Sequence, residues 1–380
     1  MVRRRPLEAL FGGSNPSSPA KRIISKKSSR KVPDPTGQPD IVINIKIMRK
    51  ILVFALLLLL TVGCGTKEFN GNLTGSDYKG NYVYGAAMNL AWEALSNDVL
   101  GEDVVLKTDD EDALDYVKKF NDASFSKTDL DEESYYVKSG YGQETVNTIN
   151  NECRDKFPDK SFDDLQLNLT NHDIISYAYF LKAVEYPIAF ERDPYGMLFD
   201  GKRVEGFYSD GDDQDKNIEI IKYWNNDKFI IALKLKDESD ELILAKGFDM
   251  NDPEGIVYEV NALKNESREI LTEGESFSMP NLHLDYKRNY NELIGKTFAN
   301  EGFEDYAIGE MYEKIKFDMD NKGARAENES AIIVEEALIA YKEMRRFILD
   351  EPFWVIMKRA KSESPYFILG VNNTELMELL

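Results

Sequence analysis

Histidine and cysteine are almost missing from this 380-residue chain: His172 and His283 are the only histidines, Cys64 and Cys153 the only cysteines. Two histidines cannot furnish a His-rich metal site, and they give a Ser-His-Asp relay little to work with. There is also no glycine-rich phosphate loop and no zinc-ligand spacing. These gaps argue against an enzyme and leave no cofactor or metal to be expected. No unit of 20–50 residues recurs, and no Pro/Ser-rich linker divides residues 80–380.

Positive charge is scarce along most of the chain. Residues 1–63 hold 12 Lys/Arg against 3 Asp/Glu, so residues 64–380 keep 35 of the 47 basic and 65 of the 68 acidic side chains, a formal charge near −30. Such a surface repels nucleic acid and anionic lipid. No nucleic-acid partner is expected.

The basic excess surrounds a leader. Met48-Arg49-Lys50 precedes the apolar run 51–62, and Leu60-Thr61-Val62-Gly63 leads into Cys64. A short basic start, an apolar stretch and small residues before a cysteine make the pattern of an export signal. The run is too short to span a bilayer, which takes about 20 residues. The motif resembles a bacterial lipobox. That implies cleavage before Cys64, lipidation of its thiol, and attachment to a membrane face of the bacterial cell envelope, outside the cytoplasm. With Cys64 lipidated, Cys153 has no intrachain partner, and stability must come from the core. Residues 1–47, basic and rich in Ser and Pro, read as an extension upstream of the true start or as a disordered arm. The expected division is this extension, a signal over 48–63, a polar Gly/Asn-rich tether over 64–80, and one domain over 81–380.

Within the domain, YVYGAAMNLAWEALSNDVL from Tyr82 predicts a turn and an amphipathic helix. Helices are also predicted over 109–120, acidic at its start and lysine-rich at its end, and over 144–157. Strands follow at 173–180, 196–208 and 242–247, with a hairpin of 218–224 and 228–235 around Asn225-Asn226-Asp227. Residues 276–284 alternate, with Pro280 as a break. Helices, then many strands, describe a mixed α+β protein.

The last third is the most informative. An alternating strand runs into Asn321-Lys322-Gly323; small and charged residues follow; a closing strand pair is entered through Asp350-Glu351-Pro352-Phe353. This order resembles the C-terminal third of the serpins. DIISYAYFLK resembles that family's "ALYFK" segment, with Lys182 where the family keeps a lysine. LFDGKRVEGFY and MPNLHLDYKRNYNELIGKTF resemble later segments. Val184 and Glu185 stand in the region of a usual tryptophan, and Glu313 near a usual histidine. The resemblance covers about residues 80–380. It implies an α+β serpin-like fold, with helices on a large mixed or antiparallel central sheet, smaller additional sheets, and an exposed reactive loop near the C-terminus.

It also implies a function without catalytic side chains: suicide-substrate inhibition of a serine or cysteine protease, whose cut loop inserts into a sheet. The expected partners are a target protease and, through Cys64, lipid; the expected state is a monomer. The hinge residues would be Gly323, Ala324, Ala326, Asn328 and Ser330. Strand alternation places Ala324, Ala326, Asn328 and Ser330 on one face and Arg325, Glu327 and Glu329 on the other. The scissile bond would lie among Ala337, Leu338, Ile339, Ala340 and Tyr341. Residues 327–346, read alone, are strong helix formers, acidic early and basic late. They keep open the alternative of a non-inhibitory serpin-fold surface lipoprotein that binds a partner or serves as a scaffold. Asp318 to Gly323 with Glu329 mimics a calcium loop, but Lys322 occupies a ligand position and Arg325 the apolar one. The 20 Tyr, 20 Phe and 3 Trp are read as core, not as a carbohydrate platform.

Overall fold

The computed structural model describes residues 68–159, 163–324 and 344–380. Its largest layer is an eight-stranded antiparallel sheet. The order is Ser76–Tyr78, Asn81–Gly85, Phe367–Val371, Phe353–Arg359, Asp240–Lys246, Lys228–Leu233, Ile218–Asn225 and Glu269–Ile270. Its middle strands carry the continuous apolar runs FWVIM, FILGV and LILA, as strands covered on both faces should. Ile243 lies opposite Ile356, which lies opposite Ile368, and all three are fully buried. Burying one such side chain contributes about 1.5–3 kcal/mol. Asn225 Oδ1 accepts the Asp227 N–H at 2.8 Å and shapes the expected hairpin turn.

A second, four-stranded sheet is ordered Arg346–Ile348, Ser276–Pro280, Gly206–Tyr208 and Glu191–Arg192. Phe190, Phe207 and Phe277 meet beneath it with ring centroids 5.2–6.1 Å apart. Pro280, lacking an N–H, ends its strand; the chain resumes as Leu282–Asn289 in another sheet. The single strand expected over 196–208 is instead three short ones, Met197–Phe199, Lys202–Val204 and Gly206–Tyr208. Asp200 and Gly201, both at positive φ, fold the first two into a hairpin.

Two further antiparallel pairs are Tyr135–Tyr141 with Ile174–Phe180, and Leu282–Asn289 with Tyr312–Met319. Strand Tyr312–Met319, which runs toward Gly323, thus lies outside the eight-stranded sheet. Helix Gly142–Lys156 covers the first pair through Val146, Ile149 and Cys153. Helix Ala87–Ala94 packs beneath that pair: Ser139 and Ser176 donate to the Ala94 and Ala91 carbonyls at 3.1 and 2.5 Å. Helix Glu111–Asn121 starts at Asp110, whose side chain accepts the Ala113 N–H, and helix Pro253–Ala262 at Asp252, which accepts from Gly255.

The segment read as a tether over 64–80 is packed from Phe69 onward. Phe69 and Leu73 are buried, Phe69 meets the Tyr258 ring edge-on at 5.0 Å, and Ser76–Tyr78 pairs with Asn81–Gly85. Its polar composition concealed two apolar anchors. The extension 1–47, the signal 48–63 and Cys64 lie outside the described residues.

Candidate functional site: the hinge and the cleft beside it

Strand Tyr312–Met319 ends in a tight reversal. The Asp320 N–H donates to the Gly323 carbonyl at 2.9 Å, and Asp320 Oδ1 accepts the Lys322 N–H at 2.8 Å. Asn321 holds the turn to the four-stranded sheet's side of the molecule. Its amide donates to the Phe190 carbonyl at 2.8 Å, and its own carbonyl accepts the Phe190 N–H at 2.7 Å. The chain then runs antiparallel to Val184–Glu185, with Gly323 opposite Glu185 and Ala324 opposite Val184. Only glycine serves at the first position. Gly323 has φ 157°, and a Cβ there would lie 2.2 Å from the Val184 carbonyl oxygen.

Below this hinge the two strand pairs stand apart. Among the described residues, Ile174–Phe180 pairs only with Tyr135–Tyr141, and Tyr312–Met319 only with Leu282–Asn289. Both strands line one cavity of about 750 Å³, shared with Ala91 and Trp92 on one side and Leu165, Leu167 and Leu169 on the other. Backbone edges next to an apolar space form a slot that one more strand would satisfy. Its faces are unequal. Ala178 and Phe180 pack on the main core and Ser176 bonds the helix beneath, whereas Ile175, Tyr177 and Tyr179 face helix Gly142–Lys156.

One wall of the slot carries a buried acid. In YEKIKFDM, Glu313 shares its phase with Ile315, Phe317 and Met319, and it is 6% exposed. Arg288 lies directly opposite on the paired strand, yet no ion pair joins them among the described residues. Arg288 donates instead to the Thr74 carbonyl, to the Tyr290 hydroxyl at 3.3 Å and to the Tyr116 hydroxyl at 2.9 Å. The Tyr290 hydroxyl in turn donates to Glu313 Oε2 at 3.3 Å, while Oε1 has no hydrogen bond among the described residues. Burial pushes the Glu313 carboxyl up to about 7, against the pull of Arg288, the Met88 backbone N–H and Tyr290.

The other wall is bolted at its hinge end. Lys182 Nζ lies 2.7 Å from Asp131, 2.6 Å from Asp240 and 3.4 Å from Asp237, and Arg359 reaches Asp131 at 3.0 Å and Asp240 at 3.4 Å. Asp240 and Arg359 are register partners in the eight-stranded sheet. Burial disfavours the Lys182 charge, but the bonds to Asp131 and Asp240 outweigh it and hold the ammonium above the usual lysine value. At Asp240 burial wins, and the carboxyl sits above its usual range despite Lys182 and Arg359.

Of the expected site residues, Gly323 and Ala324 are together in the hinge pair. Ala326, Asn328, Ser330, Ala337, Leu338, Ile339, Ala340 and Tyr341 lie outside the described residues. Of the calcium-loop mimic, Asp318 bonds His283 and Asp320 accepts the Lys322 N–H, while Glu329 lies outside the described residues. Sequence reasoning did not find the Glu313 pocket, although a glutamate in the apolar phase of an alternating strand was a readable signal.

No family model and no curated protein matches the chain. Solved structures do. The thermophilic serpin tengpin is 15% identical over 80% of this chain and 90% of its own, with a TM-score of 0.49. Serpin48 of the insect Tenebrio molitor is 13% identical over 78% and 92%, at 0.47. A thyroxine-binding globulin in complex with thyroxine is 10% identical over 77% and 92%, at 0.47. The likeness is to serpins. It is a likeness of fold at low identity; the hinge register and the cleft rest on this chain's own geometry.

Proposed function

We propose that the chain is a serpin-like inhibitor that offers the segment after Gly323 to a serine or cysteine protease and, once cut, takes it up as a strand in the cleft. The observation that carries this reading is the register of Gly323–Ala324 against Val184–Glu185. Continued residue for residue, it sets Asn328 opposite Phe180, Ser330 opposite Ala178, Ile332 opposite Ser176 and Val334 opposite Ile174. Directly opposed residues share a face, so the row of Ala326, Asn328, Ser330, Ile332 and Val334 turns to the core. Glu327 and Glu329 fall opposite Leu181 and Tyr179, on the outer side. The small-and-charged alternation after the hinge therefore has the phase an incoming strand needs.

Uptake would add ladder hydrogen bonds at about 0.5–1.5 kcal/mol each and bury the isoleucine and valine side chains. The protease supplies the nucleophile. Its serine or cysteine forms an ester or thioester with the carbonyl of the cut bond, within 337–341, and insertion drags that acyl-enzyme before water can release it. Cys64 would anchor the inhibitor, as a monomer, to lipid at the bacterial cell envelope, where the target protease would be met.

The test is a panel of serine and cysteine proteases, an SDS gel and a thermal melt. An SDS-resistant complex with one protease, and a large rise in melting temperature after cleavage beyond Gly323, are expected. Cleavage that leaves the melting temperature unchanged, with no covalent complex across the panel, would leave the non-inhibitory surface lipoprotein as the reading.

A further inference from the structure

The cavity between the two strand pairs has the dimensions of a small-molecule pocket: its volume of about 750 Å³ falls inside the roughly 300–1,000 Å³ usual for such sites. Trp92, Leu165, Ile175, Ile308 and Phe367 give it apolar walls. Of the acids that line it, Asp163, Asp173 and Glu310 are exposed and Glu313 is buried. Lys314 and Lys316 line it too, but strand alternation sets them out of phase with Glu313. The strand paired with Glu313 offers Arg288, whose guanidinium stacks on the Tyr290 ring at 4.1 Å and donates to Thr74, Tyr290 and Tyr116. The Tyr290 hydroxyl donates to Oε2, while helix Ala87–Ala94 offers the Met88 backbone N–H and strand Asn81–Gly85 the Tyr84 phenol. Oε1 is left without a hydrogen bond among the described residues. Gly85 keeps the space beside it clear: a Cβ there would lie 3.1 Å from Oε1, and Gly85 itself lines the cavity.

We propose that this cavity binds an amphiphilic primary amine, its ammonium on Glu313 and its hydrocarbon chain along the apolar walls. The site uses no residue beyond the hinge and stands whether or not that segment is ever taken up. A carboxylate with a buried, unbonded oxygen is costly on its own, and an ammonium supplies both the missing donor and the missing charge. Arg288 does not already supply them, because its guanidinium is turned to Thr74 and the two tyrosines. With Arg288 in place, burial still holds the carboxyl up to about 7, so near neutrality the site takes one further positive charge, a proton. A bound ammonium would stand in for that proton. An alcohol of the same length could donate to Oε1 but would bring no charge, and a fatty acid would bring the wrong one. The formal charge near −30 on residues 64–380 also draws cations toward the molecule.

Isothermal calorimetry of the full-length protein tests this with n-decylamine, n-decanol and decanoate, each kept monomeric. At pH 7.5 the amine should bind at least tenfold tighter than the alcohol, and decanoate weakest. From pH 5.5 to 7.5 the amine affinity should rise at least tenfold, because the ammonium displaces the Glu313 proton below about 7. Titration at pH 6 in buffers of different protonation heat should count about one proton released per amine, and none per alcohol. Glu313→Gln should bring amine and alcohol within threefold of each other and abolish the proton release. The proton count needs no variant, so it tests the site even should the glutamine protein fold poorly. No binding of the amine, equal binding of amine and alcohol, tightest binding of decanoate, or no proton release would each overturn the site. So would an amine that binds wild type and Glu313→Gln equally, the result expected of adsorption to the acidic surface alone. Insertion is read separately, from the rise in melting temperature after cleavage, and its failure leaves the amine site untouched.

Discussion

Gly323 turns its bare Cα to the Val184 carbonyl so closely that an added Cβ would lie 2.2 Å from that oxygen. The contact fixes the backbone at Gly323, which with Ala324 forms the antiparallel ladder with Val184–Glu185. Gly323→Ala meets both a backbone clash and a φ of 157° that side chains avoid. A stability loss of about 1–3 kcal/mol is expected in urea unfolding. The fraction of protease encounters ending in a covalent complex should fall several-fold on a titration gel. Unchanged stability would show that the hinge pair does not form.

Glu313 makes a pH prediction. Its carboxyl is raised from 4.5 to about 7, so between those values the folded chain holds a proton that the unfolded chain has released. Stability from this group is full below about pH 4.5, falls as pH rises, and is flat above about 7. The difference is roughly 3 kcal/mol. Carboxylates held low, such as Asp131 and Glu241, act in the opposite sense and in a more acidic window. Chemical denaturation from pH 5 to 8 should show a downward slope that Glu313→Gln removes. Parallel profiles for the two proteins would place the slope elsewhere.

The Lys182 cluster predicts a mechanical role for the other wall. Asp240 is fully buried at its side chain and Lys182 is 11% exposed, so Lys182→Met leaves that carboxylate to Arg359 and the Tyr366 hydroxyl, each at 3.4 Å. Truncating one partner of such a pair costs about 3 kcal/mol or more. Adding Asp240→Asn should recover much of that loss, because the stranded charge goes with it. A melt series of the wild type, the two single variants and the double variant reads the coupling. Additive losses would mean that the two residues act independently.

How much of this was legible depends on distance along the chain. The hairpin around Asn226 and the strands of the large sheet announce themselves as apolar runs bounded by turn residues, a local signal. The DNKG turn and the position of Gly323 were equally local. The parting of the two strand pairs is not. It depends on how Ile174–Phe180 and Tyr312–Met319, more than 130 positions apart, are brought to the two sides of one cavity. The Lys182 cluster joins Asp131, Asp240 and Arg359, and no local pattern brings those together. Glu313 was half legible: its phase pointed inward, but the missing side chain at Gly85 that makes room for it could not be read from the strand itself. The tether was misread for a related reason, since Phe69 and Leu73 anchor it to residues distant in sequence.

The sharpest prediction uses neighbouring residues with opposite outcomes. If the incoming strand continues the register of Gly323–Ala324, Ser330 would turn to the core beside Ala178 and Glu329 outward beside Tyr179. An arginine at 330 must enter the apolar side of the slot, where an unpaired charge costs several kcal/mol. An arginine at 329 would put one charge in place of another on the outward face of that strand. Ser330→Arg should therefore lose most of the rise in melting temperature that follows cleavage, and with it the covalent complex, while Glu329→Arg keeps both. Each variant is melted uncut as well, so that the rise on cleavage is read against its own baseline. If the two variants behave the same way after cleavage, the incoming strand does not follow the hinge register, because a one-residue shift is what exchanges the faces of a strand.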